Sequence, residues 1–363
     1  MCTYNRPKYA IRAIKFWAKQ NVNLIVLDGS SDPLDKEFTE SLPKCVRYIH
    51  SESGWTDRML MGANLSKTNF TSLINDDEFY LPNSLSVCIE TLRGCPQLVS
   101  TTGNAVIFKV LKQEVYFKRK YSEFSLSQVT SNHSFERVSQ HMNPYRMTSL
   151  FAVTRTPVFI NNVKVANLCS HLPITAAFEL GFEIANSYQG QSRVLPILHW
   201  FRSAENPPIW NTKNYDFGSW IEDEKNSAQF LELSNHVDRI LEVYPENKNS
   251  YEKSVLYVGL HSYIAGGRTF TKNPSVLAIN YSRKFLITHF KRLAHNTIGE
   301  FRLLNLLEYI FTKFNKEFFE SRWRSTSSMI YSLSNAGIQV SETCVLQATN
   351  SIKSSYIEFD SKS

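Results

Sequence analysis

Apolar residues recur at helical spacing from Lys8 to Lys19, where Ile11, Ile14, Phe16 and Trp17 form one face and Asn21 closes the run. Asn23 to Asp28 is apolar from Leu24 to Leu27 and closes on an acid, the pattern of a buried strand ending in an acid. Gly29-Ser30-Ser31-Asp32-Pro33 then reads as a turn. Val46 to Ile49 is a shorter strand, and Thr56 to Ser66 a helix with Thr56 as its cap. Phe70 to Asn75 repeats the strand-then-acid pattern, ending in Asp76, Asp77 and Glu78, and Pro82 to Arg93 forms the next helix. Helix, strand, strand, helix, strand, helix in that order predicts an α/β fold, with a mostly parallel sheet and helices on both faces.

The pattern continues with strands over Val99 to Val110, Ser149 to Thr154 and Arg193 to Phe201. Lys112 to Asn143 reads as a long polar and aromatic loop with a short helix. Leu172 to Asn186 is helical, with Phe178 and Phe182 on one face and Glu179 and Glu183 on another. Composition shifts after Asn206-Pro207-Pro208, and helical periodicity prevails from Phe217 to Trp323, most strongly over Leu303 to Phe311. The expected organisation is an α/β domain over 1–210, a mainly helical domain over 211–325 and a polar tail over 326–363. In that tail, Met329 to Leu333 and Gly337 to Val340 read as edge strands or a partly ordered end. The helix around Leu303 reads as a buried helix, with contact to a membrane surface as the alternative.

The 363 residues carry 42% hydrophobic and 20% charged side chains, the balance of a folded globular chain. A net charge of +7 suits phosphate-bearing substrates or an anionic membrane face. Basic residues form no stripe interleaved with aromatics, so nucleic acid is not an expected partner. Six scattered cysteines make no CxxC or Cys/His cluster, which argues against zinc and disulfide frameworks and for a reducing, cytoplasmic setting. No run reaches the ~18 apolar residues of a membrane span.

Chemistry concentrates at the ends of the two acid-tipped strands. Three adjacent carboxylates repel one another and need a counter-charge if they are buried. Delivered to the carboxyl edge of a sheet, they are hard oxygen ligands where a divalent cation and a phosphate could meet. The other reading is a solvated acidic turn. Asp28 can accept from a uracil-type base or a ribose, or act as the acceptor of an Asx-turn before Gly29. Arg58 has the fork that suits a diphosphate, or pairs with Asp57 or Glu52.

The order of these pieces resembles the nucleotide-sugar glycosyltransferases of the GT-A fold, in the large family-2-like group. The matching residues are Thr3-Tyr4-Asn5-Arg6-Pro7, Leu27-Asp28-Gly29-Ser30-Ser31, Asp57-Arg58 through Gly62-Ala63-Asn64, and Asn75-Asp76-Asp77-Glu78-Phe79 with Pro82. A later segment, Ser149 to Arg155, narrows the likeness to bacterial glycosyltransferase-domain proteins. The family opens on a full apolar strand before its first motif, and here Thr3-Tyr4-Asn5-Arg6 reads as a turn with no strand ahead of it. Its acid triplet usually ends in Asp, where this chain has Glu78.

The resemblance implies a GT-A domain of Rossmann-like architecture followed by a helical region. It implies inverting transfer of a sugar to a sugar or glycan acceptor, lipid-linked or free, assisted by Mn2+ or Mg2+, in surface-polysaccharide assembly at the inner membrane face. Thr3, Tyr4, Asn5, Arg6, Asp28, Ser30, Arg58 and Asp76 would bind the nucleotide, with Tyr4 offering a stacking face. Asp77 and Glu78 would face the metal. The catalytic base of the group lies about a hundred residues beyond the acids, which fits Glu179, with Glu183 one turn later as competitor. His199 and Arg202 end a strand from which either could reach a diphosphate. Two other function classes fit parts of the pattern. A nucleotidyltransferase would need a glycine-rich phosphate loop, which Thr3 to Pro7 lacks. A binding module that has lost catalysis is the second.

Overall fold

The computed structural model describes residues 1–121, 126–142, 149–168, 170, 175–206 and 323–360. The expected helical domain, with its run over Leu303 to Phe311, lies almost wholly outside them. The chain opens with three parallel strands in the order β1 (Cys2–Thr3), β2 (Leu24–Asp28), β3 (Val46–His50). Helix α1 (Pro7–Trp17) joins β1 to β2, α2 (Lys36–Glu40) joins β2 to β3, and α3 (Trp55–Leu65) follows. Proline at the start of α1 presets the helical φ and withholds an amide that would have no partner there. Ala10, Ala13, Ile14 and Trp17 then fall on one face and are buried.

A larger mixed sheet follows. Its strands are β4 (Phe70–Thr71), β5 (Phe79–Tyr80), β6 (Leu98–Leu111), β7 (Glu114–Lys120), β8 (Gln128–Val129), β9 (Val153–Arg155), β10 (Gln191–Ser203) and β11 (Arg324–Ser325). The order is β11-β7-β6-β10-β5, with β9 beside β6 and β4, and β8 beside β10. The long β6 and β10 run parallel, and the other pairs of this sheet are antiparallel. Helices α4 (Pro82–Gly94), α5 (Ser134–Met142), α6 (Thr156–Asn167) and α7 (Thr175–Gln189) connect these strands. A parallel bridge from Cys2 to Asn75 links the two sheets. The α/β class expected from the strand and helix order is the class observed, but the sheet expected to be mostly parallel is parallel only in β1-β2-β3 and β6-β10 among the described strand pairs.

Four local expectations change. The first motif does follow a strand, the two-residue β1. The run before the acids is a strand only over Phe70–Thr71, and Asn75 beyond it bridges instead to Cys2 of β1. Lys112 to Asn143 is not mainly loop: β6 turns back into β7 through Lys112 and Gln113, at φ of 50° and 61°. Residues 326–360 are neither a tail nor edge strands. They form α8 (Thr326–Asn335) and α9 (Glu342–Asp360), whose Met329, Leu333, Val345, Ala348 and Ile352 are buried in one core with Trp17, Phe108, Phe117 and Phe201. Burying a side chain such as Leu, Ile, Val or Met stabilises by about 2 kcal/mol, enough to hold this segment on the fold. The loop between α8 and α9 adds a bond from Leu198 N to Gln339 O (2.8 Å) and one from Gln339 N to Pro196 O (2.7 Å).

Candidate active site

Three chain ends meet at one edge of the first sheet. Asp28 ends β2, its parallel register partner Thr3 ends β1, and the bridge from Cys2 to Asn75 sets Asp76 beside Thr3. The outer edge at the carboxyl ends of parallel strands is where α/β sheets bind ligands. Thr3 Oγ1 donates to Asp76 Oδ2 at 2.6 Å. Arg6 lies over both acids, with Nη2 2.5 Å from Asp76 Oδ1 and Nη1 3.2 Å from Asp77 Oδ2. Burial pushes the Asp76 carboxyl up to about 6, against the pull of Arg6.

The neighbouring turn is tied to the same edge. Asp28 Oδ1 accepts from Ser30 N (2.9 Å) and Ser30 Oγ (2.5 Å), an Asx-type turn. Its Oδ2 accepts from the Tyr48 hydroxyl at 2.6 Å, and His50 Nε2 lies 2.7 Å from Ser30 O. Asn5 takes a positive φ of 51°, which Asn tolerates, and its amide donates to Ser30 Oγ at 2.8 Å. Ser31 N returns a bond to Asn5 Oδ1 at 3.2 Å. The loops after β1 and β2 therefore form one unit, from which the exposed Tyr4 ring projects.

Arg58 departs from its expected role. It is 4% exposed, donates to Ser53 O, and packs so tightly under Gly29 that a Cβ there would collide with its guanidinium. It props the Asp28 turn from beneath and does not present its fork outward. Gly29 is needed for that approach, not for its backbone angle.

The three acids do not all face one point: Asp76 and Asp77 share Arg6, and Glu78 turns away. Asp77 Oδ2 accepts from Asn206 Nδ2 at 2.7 Å as well as from Arg6. Glu78 is 5% exposed and accepts from the Trp200 indole at 2.9 Å, with Arg202 Nε 3.9 Å from its other oxygen. Burial, with Asp77 adding to it, pushes the Glu78 carboxyl up to about 8, against Arg202, Trp200 and Asn75. Its expected place facing a cation is thus corrected: it is an interior hydrogen-bonding group, largely protonated at neutral pH. Among the described residues no three His, Cys, Asp or Glu side chains gather as a metal site. The guanidinium of Arg6 brings one positive charge to two carboxylates, so Asp76 and Asp77 together keep a negative charge that a Mn2+ or Mg2+ shared with a diphosphate would offset.

Helix α7 holds the two candidate bases in different states. Its Ala177, Phe178, Leu180, Phe182, Ile184, Ala185 and Tyr188 are buried, so its polar positions are enclosed too. Glu179 is half-buried, and its carboxyl is pushed up to about 7 by burial and by Glu183 one turn on, against Arg202. Glu183 is fully buried. Its carboxylate accepts from Ser149 N at 3.1 Å, from Leu150 N at 3.0 Å and contacts His141 Nε2 at 2.6 Å. Those partners make it a fastener of the turn before β9, not a base.

His199 is fully buried, its Nδ1 2.7 Å from Ser84 Oγ and its ring stacked on Tyr80 at 4.6 Å. Burial lowers it to about 3, so it is neutral and structural. Arg202 lies between Glu78 and Tyr121 and influences Glu179. Tyr48, His50 and Asn206 join the site without local sequence signals. So do Arg12 and Glu205, which pair at 2.8 Å while Arg12 Nη2 donates to Asp77 O at 3.2 Å.

Residues 1–150 match the model of glycosyl transferase family 2. No curated protein compared with the chain matches it. Among solved structures, residues 1–349 of S. aureus TarS in complex with UDP-GlcNAc share 12% identity at a TM-score of 0.49, covering 73% of this chain and 71% of that one. A second TarS crystal structure shares 11% at 0.43, covering 75% of this chain and 43% of that one. Likeness at that level leaves donor and acceptor open.

Proposed function

We propose that this family-2-like glycosyltransferase moves a sugar from a nucleotide-sugar donor to a hydroxyl of a sugar or glycan acceptor, with inversion. The observation that carries the reading is the convergence of Asp28, Thr3 and Asp76 at one sheet edge, with Arg6 laid across the acids. Asp28 and Asp76 would receive the base and ribose, Tyr4 would stack on the base, and Arg6 would offer its fork to the diphosphate. Ser30 and Asn5 hold the loop in shape. Glu179 would take the acceptor's proton as its oxygen attacks the anomeric carbon. The new C–O bond forms as the bond to the phosphate oxygen breaks, and the electron pair leaves with the nucleoside diphosphate. A carboxyl raised to about 7 suits a base at neutral pH.

No step here runs through a divalent cation; when bound, one would be held by Asp76 and Asp77 and would offset charge on the leaving diphosphate. A glycan or lipid-linked glycan acceptor, and work at the inner membrane face in surface-polysaccharide assembly, go with this reading. The net charge of +7 accords with an anionic surface. No helix among the described residues is long and apolar enough to cross a membrane.

The test is a panel of UDP-, GDP-, CDP- and dTDP-sugars incubated with the protein and a mixture of acceptor saccharides, reading release of nucleoside diphosphate. One nucleotide class is expected to turn over, and an Asp28→Ala variant to lose that turnover. Binding without turnover for every donor would favour a module that has lost catalysis, for which the enclosed Glu78 speaks.

A further inference from the structure

We propose that the C-terminal helix α9 is a working part of the donor site, bracing the diphosphate side through Tyr356, Glu205 and Arg12. The inference rests on the nucleotide-sugar reading above and assigns positioning residues to it. The Tyr356 hydroxyl is 2.5 Å from Glu205 Oε1. Glu205 holds Arg12 with both oxygens, at 3.0 and 2.8 Å, in a pair whose side chains are 1% and 2% exposed. Arg12 in turn donates to the Asp77 carbonyl at 3.2 Å. Asn206, the neighbour of Glu205, donates to the Asp77 carboxylate at 2.7 Å. Two adjacent residues after β10 therefore govern Asp77, one at its side chain and one, through Arg12, at its backbone.

Fixing the Asp77 carbonyl fixes the peptide plane between Asp77 and Glu78. That plane sets where the Asp77 carboxylate points, and with it the perch of Arg6. Ion pairs enclosed to this degree keep their geometry only when their remaining bonding positions are filled. Tyr356 supplies such a bond from a helix that is 151 residues away in sequence. The base side of the site, at Asp28 and Tyr48, is joined to this chain of contacts indirectly, through Thr3, Asp76 and Arg6. The brace reaches Asp77 directly, so it should act on the diphosphate and not on the nucleoside.

Tyr356→Phe removes one hydroxyl and keeps the ring, so the core contacts of α9 persist. The probes are UDP and uridine by calorimetry, with amide exchange of residues 76–79 in the absence of ligand. Loss of a bond to a charged acceptor should weaken UDP binding about fivefold and leave uridine unchanged. Amides of 76–79 should exchange faster in the variant. Glu205→Gln, which keeps the shape but drops the charge, should do the same more strongly. Unchanged UDP affinity and exchange would overturn the brace, as would an equal loss for UDP and uridine. If the natural protein bound neither probe, the nucleotide reading would fall, while the exchange arm would still decide whether α9 holds the Asp77 turn.

Discussion

Replacing Glu179 by Gln is expected to lower the transfer rate about 100- to 10,000-fold, the usual weight of a general base, while nucleotide affinity stays within about twofold. Gln keeps the shape and the hydrogen-bonding reach of Glu but cannot take a proton. The carboxyl is raised to about 7 by its enclosure and by Glu183. A base works only when deprotonated, so kcat/KM should climb with pH through about 7 and level off above it. The variant should lose that limb along with the rate. Because the folded state raises this acid above its ordinary value of 4.5, ionising it costs stability, and that cost grows as pH rises towards 7. Stability and activity thus pull in opposite directions at this residue, as expected of an acid kept for chemistry. A Glu179→Gln protein with undiminished transfer would move the base elsewhere.

One turn along the same helix, the opposite result is expected. Glu183→Ala should cost several kcal/mol of folding stability, about 1–3 kcal/mol for each buried donor left without its acceptor. The amides of Ser149 and Leu150 would lose their acceptor and His141 its carboxylate, all within a fully buried pocket. Urea unfolding should show a lower midpoint with an unchanged slope, since the surface exposed on unfolding is the same. Near-wild-type stability would mean that this carboxylate is not what fastens the turn before β9. The contrast shows why two acids four residues apart cannot be sorted by spacing. Their roles follow from what faces them, and those partners come from α5 and from the segment before β9.

Much of the α/β half was legible because its helices and strands each bury one face. The Ala10 to Trp17 stripe of α1 and the apolar β2 are patterns that packing does not overrule. The β6–β7 hairpin was hidden because its turn carries Lys112 and Gln113 at positive φ, where Asn-Gly would advertise the reversal. The C-terminal helices were hidden because Ser and Thr fall on more than one face of them, exposed at Ser327, Ser328 and Ser334 but buried at Thr349 and Ser355. Their buried stripe, Val345, Ala348 and Ile352, nevertheless has helical spacing.

Asp28 and Asp76 could be picked out as acids closing apolar runs. The turn of Glu78 towards Trp200 could not, because that partner lies 122 residues further along. The same holds for Asn206 on Asp77. Arg58 reads as an outward fork only until Gly29 is seen to admit it beneath the turn.

Amide hydrogen exchange with and without UDP locates the nucleotide without requiring a known donor or acceptor. Slower exchange is expected at three separated stretches together, residues 3–6, 28–31 and 75–78, with α4 and α6 unchanged. Protection confined to some other surface, with these three stretches exchanging at their ligand-free rates, would contradict the assignment of this sheet edge as the sugar-nucleotide site.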